Sequence, residues 1–176
     1  TGFRQPARIV RDRAERINRN RRADKRQHTQ RGNRNAVGSA NLAAAINDIN
    51  TNVHPSCTLY LGDITSHGKQ SEYDKYISDI AALNGPLYLM PGNHENRWWN
   101  SNGKSDYYDN FGSPYRSFDY NGVHFVVLDT TIYLSNDGKV TKEQLNWLKQ
   151  DLAAIPDGTP VMLFGHHPFT TGNDIT

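Results

Sequence analysis

Three short apolar runs in this chain each stop abruptly on residues that bind metal or move protons. Thr58 to Gly62 runs into Asp63, Tyr88 to Met90 runs into Gly92-Asn93-His94-Glu95, and Val161 to Phe164 runs into Gly165-His166-His167-Pro168. Apolar runs of this length, bounded by turn residues, read as buried strands. In open α/β sheets the carboxyl edge is where ligands bind, because loops converge there while the strands hold them rigidly.

The segments between these runs complete the pattern. Ser39 is placed to cap a helix over residues 40–50, with Leu42, Ile46 and Ile49 on one face. Ser71, with Asp74 three residues on, resembles a capping box; Tyr73, Tyr76, Ile77, Ile80 and Leu83 then give the next helix its buried side, and Asn84-Gly85-Pro86 ends it. Strand, helix and strand make a right-handed βαβ unit. Residues 115–120 and 123–128 flank Asn121-Gly122, the strongest short hairpin signal, and predict antiparallel strands. Thr141 with Gln144 caps a further helix, whose Leu145, Leu148, Leu152 and Ile155 face inward. Helix, hairpin and helix together predict an α/β protein with a mixed sheet.

Charge divides the chain. Residues 1–35 hold twelve Lys or Arg against three acids, a charge of +9, while residues 36–176 hold eight against fifteen, or −7. The apolar residues of the basic stretch (Phe3, Ile9, Val10, Ile17) are too sparse for a core strand. Three readings fit it: a solvated disordered arm, an arm that grips nucleic acid through its phosphates, or a stretch that is not natural sequence, as the abrupt change near Asn35 would follow from a frame error. The expected organisation is a basic arm over 1–35 and a single partial domain over 36–176. No apolar run approaches the roughly 18 residues of a membrane helix, and a short apolar stretch behind a basic start is missing. The one cysteine, Cys57, leaves the compartment open and reads as packing.

The strand ends define the chemistry. Asp63 offers a carboxylate able to bridge two cations, Asn93 an amide oxygen and His166 an imidazole nitrogen, a mixed O and N set that suits Zn, Mn or Fe better than Ca or Mg. Two ions about 3.5–4 Å apart would clamp a phosphoryl group and activate water at neutral pH. Phosphoester hydrolysis is the natural use. His94, beside a ligand, would donate a proton to the leaving oxygen or touch the phosphate.

At these residues the chain resembles the calcineurin-like metallophosphoesterases, relatives of purple acid phosphatases and cyclic-nucleotide phosphodiesterases. Gly62-Asp63, Gly92-Asn93-His94-Glu95 and His166 match three of that family's motifs over roughly residues 39–170. The resemblance implies an α/β/β/α sandwich and a dinuclear site, with Asp63 bridging two metals and Asn93 and His166 on the second. Departures accompany it. No Asp-x-His precedes Asp63, no Gly-His-x-His follows His166, and Ser66 stands where the family usually has a carboxylate that orients the catalytic histidine. The first metal would then keep Asp63 alone, so that at most one ion is expected. The fold is expected to be incomplete at both ends and the activity impaired. A non-catalytic module that binds phosphate or nucleic acid through the basic arm is the alternative.

Each residue also has a plainer reading. Asp63 and Asn93 are common turn residues, and it is their company with His94 and His166 that favours a site. His167 reads as a substrate contact or as packing, Asp129 as structural, and His124 as a satisfied core histidine. His67, Arg97, Trp98 and Trp99 lie in loops on the active edge, where His67 and Arg97 are candidate substrate contacts.

Overall fold

The computed structural model describes residues 33–97 and 104–169. The basic arm up to residue 32, together with Trp98 and Trp99, lies outside the described residues. In chain order the elements are α1 (Asn33–Asp48), β1 (Thr58–Tyr60), α2 (Gln70–Ile80), β2 (Leu87–Leu89), α3 (Lys104–Phe111), β3 (Arg116–Tyr120), β4 (Val123–Val127), α4 (Lys142–Ala153) and β5 (Val161–Phe164). They fall into two compact units, 33–59 with 70–88 and 60–69 with 89–169.

In the first unit, α1 starts at Asn33, so Ser39 lies inside the helix rather than at its cap. Its hydroxyl bonds Asp79 Oδ2 on α2 at 2.9 Å, and Lys75 Nζ reaches the same carboxylate at 2.8 Å. A long-range acceptor has claimed the side chain that local spacing assigned to the helix end. The helix widens over Ile49–Val53 and closes at His54, whose φ of 47° turns the chain out of helical conformation. The inward face of α2 is as its spacing predicts: Tyr73, Tyr76, Ile77 and Ile80 are buried, as are Leu83 and Ile46 of α1. Burying each of the aliphatic side chains among them is worth about 1.5–3 kcal/mol. The helix begins one residue before Ser71, and Asp74 Oδ1 accepts from Gln70 Nε2 at 2.9 Å. Asn50 then holds the exit turn, donating to Ala82 O and accepting from Asn84 N.

β1 and β2 pair with each other. Thr58 N bonds Pro86 O and Met90 N bonds Tyr60 O, and these bonds step the same way along both strands, as parallel strands do. With α2 between them they form the expected βαβ unit. Among the described residues β1 pairs with β2 alone.

In the second unit, β3 and β4 form the antiparallel hairpin, with Asn121 and Gly122 at φ 48° and 77°. Two positive φ values in succession are what a tight hairpin turn demands, and Asn-Gly meets them at least cost. β5 joins β4 in parallel, which makes this sheet mixed. Phe118, Phe125 and Phe164 stack across the three strands, with centroids 5.0 and 6.2 Å apart. Val126, Val127 and Leu128 are buried with Tyr107 and Phe111 of α3.

Helix α4 starts as expected, Thr141 Oγ1 accepting from Gln144 N at 3.2 Å, but its leucines do not all face inward. Leu145 is 42% and Leu152 37% exposed. The buried side carries polar residues with fixed partners. Gln144 brackets the backbone of Asp129 through both amide atoms, each bond 2.8 Å. Asp151 accepts from Ser117 at 2.6 Å and pairs with His124 Nε2 at 2.9 Å. Leaving those groups unpaired in the interior would cost more than exposing two leucines. β5 departs from its buried expectation in the same way, with Val161, Met162 and Leu163 exposed at the edge of the described sheet.

Candidate metal centre

The turn after β1 is built for close approach. Gly62 has φ 98° and Asp63 φ 55°, left-handed conformations that glycine enters freely and Asp more readily than most residues. A Cβ on Gly62 would lie 2.6 Å from Gly92 N and 2.8 Å from His166 Nδ1, so only glycine lets the two loops and the histidine meet. The Met90 N to Tyr60 O bond levels the ends of β1 and β2, and the chain after β2 enters a short 3-10 turn over Asn93–Glu95.

Glu95 ties these loops together. It is fully buried. Its Oε2 accepts from Asp63 N at 2.8 Å and Gly92 N at 2.7 Å, and its Oε1 accepts from Thr65 N and Thr65 Oγ1, each at 2.8 Å. Burial pushes its carboxyl up to about 7, outweighing the opposing pull of the bonds from Gly92 and Thr65, while the nearby charge of Asp63 adds to the rise. From the sequence Glu95 reads only as part of a motif, and the clamp does not show. Its one sequence signal is its place as the last residue of Gly92-Asn93-His94-Glu95.

Four of the predicted residues come together. His94 N donates to Asp63 Oδ1 at 3.0 Å. His166 Nδ1 donates to Leu61 O at 2.7 Å, which leaves Nε2 facing Asn93 Oδ1 at 3.1 Å and Asp63 Oδ1 at 3.5 Å. Asn93 Nδ2 is committed to Asn136 Oδ1 at 3.0 Å, so its oxygen faces the histidine. An imidazole lone pair, an amide oxygen and a carboxylate oxygen thus converge. Three acceptors held this close repel one another unless a cation or a proton lies between them, and their mixed O and N character fits a divalent transition metal. Among the described residues no three His, Cys, Asp or Glu side chains group to hold an ion; here the third donor is the amide.

His94 Nδ1 donates to Ser66 O at 2.8 Å and its Nε2 lies 4.0 Å from Asp63 Oδ2. The backbone carbonyl of Ser66 therefore orients the ring at the place where the family usually offers a carboxylate side chain. The candidate substrate contacts are spread wider. His167 is engaged at both ring nitrogens, Nδ1 with Thr130 Oγ1 at 2.8 Å and Nε2 with Asn136 O at 3.1 Å. Burial, and then the neighbouring His166, lowers its pKa. Arg97 Nη1 donates to Asn136 Oδ1 at 2.7 Å. His67 is exposed one residue beyond Ser66.

Away from this centre, Asp129 has the structural place expected of it. Lys104 Nζ bonds its Oδ2 at 2.6 Å, and Thr131 donates to its Oδ1 through both amide and hydroxyl. His124 is likewise satisfied, with Asp119 on Nδ1 and Asp151 on Nε2.

The α/β architecture, with acceptor groups gathered at strand ends, defines a metallophosphoesterase type of domain. The sequence matches the Calcineurin-like phosphoesterase family over residues 35–176, and the chain belongs to that family. It is 31% identical over 124 residues to a probable glycerophosphodiester phosphodiesterase of Arcobacter nitrofigilis, covering 65% of this chain and 42% of that protein. It is 32% identical over 139 residues to a probable cyclic nucleotide phosphodiesterase of Rhodopseudomonas palustris, covering 74% of this chain and 50% of the relative. The chain thus spans half or less of the length of these relatives. Among solved structures, a purple acid phosphatase from yellow lupin seeds aligns with a TM-score of 0.45 at 20% identity, over 72% of this chain and 25% of that one.

Proposed function

We propose that this chain carries the phosphoester-hydrolysing centre of a metal-dependent phosphodiesterase, with Asp63, Asn93 and His166 holding one divalent ion. The observation that carries the reading is that His166 Nε2 faces both Asn93 Oδ1, at 3.1 Å, and Asp63 Oδ1, at 3.5 Å. A divalent ion held by these three residues would supply Lewis-acid chemistry for the phosphoryl group and for the activation of water. The chain's own residues do the rest. The carbonyl of Leu61 holds His166 with Nε2 inward, Glu95 fixes the backbone that presents Asp63, and the carbonyl of Ser66 aims His94 Nε2 past Asp63. In its imidazolium form His94 carries a proton on Nε2 to hand to the leaving oxygen, the step expected to contribute about 10²–10⁴-fold. Arg97 and His67 are assigned to the substrate phosphate.

Both curated relatives described above bear the names of diesterases, which favours a phosphodiester over a monoester for this chain. Manganese, iron and zinc all suit the donor set. The test is turnover of bis(p-nitrophenyl) phosphate and p-nitrophenyl phosphate with added Mn²⁺ or Zn²⁺. Metal-dependent hydrolysis of the diester, abolished by Asp63→Ala, supports the reading. Hydrolysis that survives both chelation and Asp63→Ala refutes it.

A further inference from the structure

An asparagine that serves as a metal ligand has an orientation problem that aspartate lacks. Its oxygen and nitrogen exchange places by a half-turn of the amide with almost no change in shape, and only hydrogen bonds choose between the two. In the wrong orientation Asn93 would present an NH₂ group to the cation. Whatever accepts from Nδ2 therefore decides whether the residue is a ligand.

That acceptor is Asn136 Oδ1, 3.0 Å away. Asn136 is open to the same ambiguity, and a second donor resolves it: Arg97 Nη1 reaches the same oxygen at 2.7 Å. With two donors converging on one atom, Asn136 has to keep its oxygen inward. Its backbone carbonyl also accepts from His167 Nε2 at 3.1 Å. The loop that carries it is tied down on both sides. Leu134 N bonds Asn96 O, Lys139 N bonds Thr130 O, Thr131 and Gly138 form an isolated β-bridge, and the hydroxyl of Ser135 links to Asp137.

We infer that Asn136 is a positioning residue of the metal centre: locked by Arg97, it holds Asn93 with Oδ1 turned toward His166 Nε2. The inference rests on the metal-centre reading given above. It gives Arg97 a task in addition to any contact with substrate, because the guanidinium fixes the residue that fixes the ligand. Partners one layer behind a metal ligand characteristically affect affinity by about 10–100-fold. Asn136 is exposed, so water competes for its bonds, and the low end, about tenfold, is expected.

The test compares wild type, Asn136→Ala and Asn136→Asp, the last of which keeps an oxygen acceptor. In metal-free protein the side-chain NH₂ signals of Asn93, assigned by their loss in Asn93→Ala, report its orientation directly by NMR. The alanine variant is expected to shift that pair and speed its exchange with solvent about fivefold, while the aspartate variant leaves it close to wild type. Calorimetric titration with Mn²⁺ is expected to show affinity weakened about tenfold in the alanine variant and retained or tightened in the aspartate variant, with equal melting temperatures. An unchanged Asn93 pair in Asn136→Ala overturns the inference, as does equal loss of affinity in both variants. A wild-type chain that takes up no Mn²⁺ contradicts the metal centre itself. The amide signals, read without metal, then still decide the role of Asn136.

Discussion

Replacing Glu95 removes an acceptor that both loops of the centre share. In Glu95→Ala, the amides of Asp63, Thr65 and Gly92 and the hydroxyl of Thr65 lose their partner together. A buried donor left unsatisfied costs about 1–3 kcal/mol. Three amides would total about 3–9 kcal/mol, and water entering the vacated space lowers the figure toward about 3–5 kcal/mol. Glu95→Gln separates the effects. With its amide nitrogen turned to Thr65, whose hydroxyl can accept, it keeps an oxygen for Asp63 and Gly92 and orphans only Thr65 N, at about 1–3 kcal/mol. Urea unfolding at pH 8, above the value of about 7 at which the carboxyl titrates, measures both. The expected order is wild type, then Gln, then Ala, with the slope unchanged. Mn²⁺ affinity should fall in the same order as Asp63 loses its fixed backbone. An alanine variant within about 1 kcal/mol of wild type, with undiminished affinity, would refute the reasoning.

Other perturbations test other parts of the account. Gly62→Ala forces a Cβ against Gly92 and His166 at φ 98°; it should cost about 1–3 kcal/mol and weaken Mn²⁺ binding in calorimetry, whereas Gly122→Ala, with open space around it, should leave binding alone. His124, 3% exposed, gives a pH dependence. Burial lowers its pKa, but the bonds and charges of Asp151 and Asp119 outweigh that and hold it above the usual 6.5. Its contribution is complete below about pH 6.5 and is lost as pH rises through the higher folded-state value. Melting temperature should therefore fall between pH 6.5 and 9, less so in His124→Gln; an equal slope in both would sink the idea. His94→Ala should leave Mn²⁺ affinity near wild type and reduce diester turnover about 10²-fold or more; lost affinity would make His94 a ligand instead.

Asp63, Asn93, His94 and His166 were legible because strand ends deliver them: once a short apolar run is read as a strand, the residue after it has a known place. The Asn121-Gly122 turn was legible because few other pairs tolerate two positive φ values. What escaped reading depends on partners distant in sequence. Ser39 looks like a cap until Asp79 claims it. The leucine spacing of α4 points to one face until His124 and Asp129 draw Asp151 and Gln144 to another. Glu95 is legible as the end of the Gly92-Asn93-His94-Glu95 motif but not as a clamp, and Asn136 carries no local signature, since an asparagine in a Ser-Asn-Asp-Gly turn is an ordinary surface residue. Their roles lie in backbone amides and a side-chain amide that only the folded chain brings near.

If three acceptor atoms from three strand ends hold an ion, the metal stays with the chain. Wild-type protein and Asp63→Ala are loaded with Mn²⁺, dialysed, and analysed for metal per chain. One ion is expected on the wild-type chain and none on the variant. No retained metal on wild type, or equal retention by both, would contradict the metal centre.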